Sequence, residues 1–184
     1  MNKNKQNLFL YNNNNYSSGK NLLIRFLWIL TSTLWVNSWF PISSVKIFCL
    51  KLFGAKIGTG VVIKPCVNIK YPWKLNVGSF VWIGEGVWID NLSDVTISDN
   101  VCISQGAYLL CGNHNYKSQT FDLIVEPVTL HEGVWVGAMT VICPGSRLMS
   151  HAVVTAGSVF SGVAEEYSVY TGNPAVKIRT REIV

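Results

Sequence analysis

From residue 57 onward, aliphatic side chains recur at every sixth position: Ile57, Ile63 and Ile69, then Val77, Ile83 and Ile89, then Ile97, Ile103 and Leu109. The series resumes at Leu130, Val136, Ile142, Leu148 and Val154, and closes at Phe160. A smaller side chain follows most of these by four residues, among them Val61, Val67, Val87, Ala107, Thr140, Ala152 and Ser158. A period of six fits neither a helix at 3.6 nor a half-buried strand at 2. It predicts short parallel strands coiling around a narrow aliphatic core. Such a prism is filled inside, so chemistry must sit on its loops, its edges or between subunits. The register slips by two residues twice, around residues 71–73 and 92–94, each time after three hexads. Those slips are expected to be bulged corners of a three-sided coil.

Upstream of the pulse the pattern changes. Residues 1–20 are polar and Asn-rich and are expected to be mobile. The apolar run that begins at Asn21 predicts a helix reaching Trp39-Phe40 and stopping at Pro41. A second short helix is expected from Ser43 or Ser44, either of which could cap it, to a stop at Gly54. Polar interruptions at Arg25, Thr31, Ser32, Thr33, Asn37 and Ser38 argue against a membrane span, which needs ~20 mostly apolar residues. The Asn-rich stretch before it argues against a signal peptide. Two readings of residues 21–54 stay open. The segment packs on its own solenoid or a sister subunit, or it makes peripheral contact with an anionic membrane through its Trp, Lys and Arg side chains. The organisation is then a mobile stretch at 1–20, a helical segment at 21–54, a solenoid at 55–165 and an extension at 166–184.

Charge and cysteines narrow the partners. Residues 1–56 carry seven Lys or Arg and no Asp or Glu, so the net charge of +5 belongs to the N-terminal segment. The coil faces lack the mixed basic and aromatic pattern of a nucleic-acid surface, which excludes nucleic acid as the main partner. Five cysteines without a C-x-x-C pair form neither a disulfide framework nor a zinc knuckle. They point to a reducing, cytoplasmic setting, with the membrane option placing the protein at the inner face.

The pulse fails between Leu109 and Leu130, and the loop at 110–129 is where chemistry is expected. His114 lies on it, flanked by Gly112, Asn113 and Asn115, with Tyr116 and Phe121 as possible pocket walls. An imidazole is well matched to taking a proton from an alcohol near neutral pH. His131 and His151 are distant in sequence, which disfavours a zinc site needing three or four convergent ligands. Cys111 reads as a residue closing a coil rather than a nucleophile. Asn91 and Asp90 sit one coil earlier, as turn fillers or as neighbours of the His114 loop. Trp82, Trp88 and Trp135 fall at outward positions and suggest an oligomer contact or a ligand groove.

The hexads at 57–62 and 83–88, the stretch Thr155-Ala156-Gly157-Ser158-Val159 and the ending Gly172-Asn173-Pro174-Ala175 resemble hexapeptide acyltransferases. Leu52-Phe53-Gly54-Ala55-Lys56-Ile57-Gly58, Tyr71-Pro72-Trp73 and Cys102-Ile103-Ser104-Gln105-Gly106-Ala107 are similar to the WcaF-type colanic-acid-biosynthesis acetyltransferases. The resemblance covers about residues 54–181. It implies an all-β fold, a left-handed parallel β-helix with an N-terminal helical segment and a short C-terminal extension. It also implies a homotrimer with sites between neighbouring prisms, moving an acetyl group from acetyl-CoA to a saccharide hydroxyl without a metal. The acceptor could be a lipid-linked intermediate of polysaccharide assembly.

Under that resemblance His114 is the general base, and Asn91, Asn113 and Tyr116 contact the acceptor. Trp135 and the Ala138 amide meet the pantetheine end, while Ala156 and Ser158 line the coenzyme groove. The family's Lys after the Gly-Ser stretch is replaced by Phe160-Ser161-Gly162-Val163, leaving Lys177, Arg179 or Arg181 to meet the coenzyme's 3′-phosphate. Relatives often carry Asp where Asn115 stands, which predicts weaker orientation of His114. A zinc-dependent hydratase of the γ-carbonic-anhydrase kind and a non-catalytic trimeric scaffold are the rival readings.

Overall fold

Three parallel sheets wrap one aliphatic column in the computed structural model, which describes residues 5–184. The strands are short; many have only two residues, too few to hold together alone. Stacking supplies what length does not. On one face Ile63 pairs with Ile83, Ile83 with Ile103, Ile103 with Val136 and Val136 with Val154. Each strand presents the same aliphatic position inward, so successive coils build a continuous core with no register in which those side chains face water. Both sequence series are buried along their whole length, from Ile57 to Phe160 and from Val61 to Ser158. At the far end Phe160 and Tyr170 meet edge to face, centroids 5.1 Å apart, and close the column.

The two register slips lie against each other. The first is a 3-10 turn at Pro72–Lys74. One coil on, the Asn91 carboxamide accepts from the Tyr71 N–H (2.9 Å) and donates to the Tyr71 carbonyl (2.6 Å). Extra residues at a corner free backbone groups from the ladder, and a fully buried Asn satisfies both of them.

Helix α1 spans Leu22–Thr31, capped by the Asn21 side chain on the Ile24 N–H at 3.0 Å. The expected helix to residue 40 does not form: the chain widens to a π turn at Ser32–Val36. That turn leaves the Val36 carbonyl to accept from Lys46 Nζ (3.0 Å), which also donates to the Lys64 carbonyl (3.0 Å). Helix α2 spans Ser43–Leu52, and neither Ser43 nor Ser44 caps it. The Ser43 hydroxyl instead bridges to Ile63, accepting from its N–H and donating to its carbonyl. Trp28 anchors α1 to the prism, buried and donating from Nε1 to the Ile69 carbonyl at 3.1 Å. The outer side of α1, the π turn and α2 exposes Leu22, Leu23, Phe26, Ile29, Trp39 and Phe48. Among the described residues no helix is long and apolar enough to cross a membrane.

Residues 5–20, part of the stretch 1–20 expected to be mobile, lie along the prism and make contacts with it; residues 1–4 lie outside the described residues. A 3-10 turn at Leu8–Leu10 follows the Asn7 N–H, which donates to the Gln119 carbonyl at 2.9 Å. Farther on, Tyr16 Oη donates to the Leu92 carbonyl (2.9 Å) and Trp73 Nε1 to the Ser18 carbonyl (2.6 Å). The segment is a strap running from the interruption after Leu109 to the bulged corners. Its composition predicts disorder, but its two ends find partners on the prism.

Candidate active site

The interruption is not an irregular loop. Strands Gly112–His114 and Leu123–Val125 form an antiparallel hairpin, with His114 opposite Leu123 and Gly112 opposite Val125. Side chains alternate across such a pair, so His114, Leu123 and Val125 share one face and Asn113 and Ile124 the other. The connecting turn is tied by Asp122, whose carboxylate accepts from the Ser118 and Thr120 hydroxyls. Those two bonds hold the Asp122 carboxyl below its usual range. Asn115 accepts from the Lys117 N–H and belongs to this turn as well.

His114 is held on three sides. Its Nδ1 lies 2.9 Å from the Phe121 carbonyl, its ring stacks on Phe121 (centroids 4.3 Å, planes 4° apart), and Tyr11 packs at 5.7 Å. A carbonyl oxygen only accepts, so Nδ1 carries the proton in the neutral ring and Nε2 keeps its lone pair. Nε2 has no partner among the described residues. Phe121 adopts φ 53°, in the left-handed region, at a cost of roughly 1–3 kcal/mol for a non-glycine residue. That strained backbone presents the orienting carbonyl. The missing carboxylate at Asn115 therefore does not leave His114 loose; a main-chain oxygen orients it.

The other cluster lies on the face built from Trp82–Ile83, Cys102–Ile103, Trp135–Val136 and Val153–Val154. There the C-terminal hairpin Ser168–Gly172 and Ala175–Thr180 folds back on the prism. It walls a groove of about 790 Å³ with Trp135, Val153, Thr155, Val169, Arg179 and Arg181. Trp135 donates from Nε1 to Ser104 Oγ at 3.0 Å, which fixes its ring across the groove. Ala156 is exposed and stacks beside Ala138, whose carbonyl accepts from the Gly157 N–H at 2.8 Å. The Ala138 N–H makes no backbone hydrogen bond among the described residues, and neither Ala138 nor Ala156 lines that groove. Arg181 spends Nη1 on the carbonyls of Gly133 and His151. Arg179 makes no ion pair among the described residues. A flat aromatic wall and an exposed cation in one groove suit an elongated, phosphate-bearing ligand.

No family model matches the chain. The colanic acid biosynthesis acetyltransferase WcaF of Escherichia coli K12 is 37% identical over 167 residues, covering 90% of this chain and 91% of that one. The chain belongs to the WcaF family of acetyltransferases. The galactoside O-acetyltransferase of Escherichia coli K12 is more distant, 27% identical over 133 residues, 71% of this chain and 66% of that protein. The hexapeptide-repeat acetyltransferase VCA0836 of Vibrio cholerae, solved with acetyl coenzyme A, superposes with a TM-score of 0.78 at 19% identity over 88% of each chain. At that identity the likeness shows the fold.

Within this WcaF-family chain, two expected site residues, Asn91 and Ser158, are buried. Asn91 is fully buried with its carboxamide committed to Tyr71, so it reaches no acceptor. Ser158 is buried as well, its hydroxyl accepting from the Gly172 N–H at 3.0 Å, so it supports the groove from inside. Lys177 pairs with the Glu165 carboxylate at 2.6 Å on the exposed surface, and Arg179 is exposed without an ion pair among the described residues. Asn113 is exposed on the hairpin face opposite His114, and Tyr116 is exposed in the turn. Cys111 is fully buried and its thiol is pushed up to about 11 by desolvation, the opposite of nucleophile activation. Among the described residues no three His, Cys, Asp or Glu side chains gather where a metal could sit. Sequence reasoning missed the strap: Tyr11 beside His114 carried no signal except its nearness to the Asn run.

Proposed function

We propose that the protein transfers an acetyl group from acetyl-CoA to a saccharide hydroxyl, with His114 as general base. The observation that carries this reading is the 2.9 Å contact of His114 Nδ1 with the Phe121 carbonyl, which leaves Nε2 as the proton acceptor. Acetyl-CoA brings the acetyl group as a thioester. His114 Nε2 takes the hydroxyl proton as that oxygen bonds to the acetyl carbon. The imidazolium then returns the proton to the sulfur as the C–S bond breaks, so the proton and the acyl group balance without a covalent enzyme adduct. The Ala138 N–H would donate to the carbonyl oxygen as its charge grows. Arg179 would meet the 3′-phosphate, and Trp135 would cover the pantetheine arm. The WcaF likeness supports an acceptor from exopolysaccharide or capsule assembly.

The groove lining does not include His114, which sits on the projecting hairpin. Neighbouring copies would unite hairpin and groove, and a homotrimer is the assembly we propose. The outward Trp82, Trp88 and Trp135 support it as side chains that a partner would cover. Tyr116, exposed in the turn of the same hairpin, and Asn113, on its other face, are the residues that would contact the acceptor there. For residues 21–54 we propose peripheral contact with the inner membrane, supported by the exposed apolar side of both helices and by the lack of any acidic residue before position 57.

The test is thiol release from acetyl-CoA across a panel of saccharide acceptors. Removal of a positioned general base is expected to lower kcat by roughly 10²–10⁴-fold. His114→Ala should therefore lose turnover with an unchanged melting temperature. A variant that keeps the wild-type rate overturns the assignment of the base.

A further inference from the structure

The strap does more than cover the hairpin. Asn12, Asn13, Asn15 and Tyr16 face Asp122, Leu123 and Val125 across a cavity of about 360 Å³. Leu123 and Val125 belong to the same hairpin face as His114, and Tyr11, next in the strap, packs on the His114 ring. The cavity thus adjoins the candidate base. Both of its walls are anchored, by Asn7 on Gln119 at one end and by Tyr16 on Leu92 at the other.

Its chemistry is specific. Asn13 and Asn15 have exposed side chains whose carboxamides make no hydrogen bond among the described residues, so each offers both a donor and an acceptor. Asp122 adds an ionised acceptor, and Leu123 and Val125 give an apolar floor. A hydroxylated ring presents donors and acceptors at its edge and C–H groups on its face, and this lining complements both. Its lining contains no Lys or Arg; Lys74, which reaches the Tyr16 ring and hydroxyl, spends its Nζ on the Ser17 and Leu92 carbonyls, and Asp122 sets a like charge against an anionic ring. The volume falls in the ordinary range for small-ligand sites, ~300–1,000 Å³.

We propose that the Asn-rich strap forms the acceptor subsite and selects a neutral sugar ring over a uronic acid. This deepens the transferase reading and rests on it. Asn13 and Asn15 are specificity-determining residues that hold the ring's hydroxyl edge, and Tyr11 orders the passage between that ring and His114.

Saturation-transfer NMR on the full chain with methyl β-galactoside, methyl β-glucoside and methyl β-glucuronide decides it, because binding is read without turnover. Wild type, Asn13→Ala/Asn15→Ala and His114→Ala are compared. The expected result is binding of a neutral glycoside to wild type and His114→Ala, weaker by roughly tenfold in the double Asn variant, the scale of one or two lost hydrogen bonds. The glucuronide should bind at least as weakly as the neutral ring binds the double variant. Where turnover is seen, the double variant should raise the acceptor KM and leave the acetyl-CoA KM unchanged. Equal binding to wild type and the double variant, no binding of either neutral glycoside, or equal binding of the glucuronide overturns the proposal. Turnover that survives in His114→Ala overturns the base alone, and the binding comparison still decides the strap.

Discussion

Gly137→Ala tests the stacking that carries both the fold and the proposed coenzyme groove. A Cβ at position 137 would lie 2.4 Å from the Ala156 nitrogen, 2.7 Å from the Thr155 carbonyl carbon and 2.9 Å from the Ala156 Cα. All three are backbone atoms, so no side chain can swing away. Neighbouring strands sit ~4.8 Å apart, and relieving the contact requires the coils to open there by about 1 Å. Overpacking of this kind costs roughly 1–3 kcal/mol. Opening also strains the bond from the Gly137 N–H to the Val154 carbonyl, 2.8 Å long, worth ~1 kcal/mol. A loss of about 3 kcal/mol follows, or roughly 6–12 °C in Tm for a domain of this size. Gly157→Ala is the control: its Cβ would meet nothing within 4 Å, and only its φ of +70° opposes alanine, at a cost of about 1 kcal/mol. Urea unfolding at fixed protomer concentration compares the two, since association would otherwise shift the midpoint. The acetyl-CoA KM should rise in Gly137→Ala, whose strain displaces Ala138 and Ala156. A loss no larger than that of Gly157→Ala would refute the claim that coil spacing is set by backbone contact at this glycine.

Arg179→Ala should raise the acetyl-CoA KM by roughly 10–100-fold, the worth of a charge-assisted hydrogen bond, and should leave the KM for 3′-dephospho-acetyl-CoA nearly unchanged. Equal effects on both substrates would remove Arg179 from the phosphate. Lys46 supplies a pH dependence. Burial lowers its pKa in the folded chain, so the unfolded chain binds this proton more tightly, and the associated stability is full above the ordinary lysine value of ~10.4 and lost as pH falls through the folded value. Urea unfolding at several pH values should therefore show the wild type gaining on Lys46→Met as pH rises through that window, and a constant gap would contradict it. Leu23→Ser/Phe26→Ser should release the protein from anionic vesicles in co-sedimentation while leaving turnover of a soluble acceptor intact. Equal sedimentation of variant and wild type would assign that apolar side to a sister subunit instead.

The six-residue period by itself determined the prism, because a core that narrow accepts one aliphatic and one small side chain per strand and rejects other registers. It also located the interruption that carries His114, since a projecting hairpin must break the period. The tertiary structure decided what those residues do. Asn91 reads in sequence as an acceptor contact or a turn filler, and only the stacking of two bulged corners shows its carboxamide consumed by Tyr71. Ser158 is turned inward in the same way, its hydroxyl accepting from the Gly172 N–H. The orientation of His114 was invisible for a different reason. Its partner is the Phe121 carbonyl, which every residue possesses, so no residue type could announce it. The strap shows the opposite failure: its composition is that of a disordered segment, yet bonds at both ends, to residues more than seventy positions away, hold it beside His114. Local composition sets what a segment can do alone, and long-range contacts decided what this one does in the folded chain.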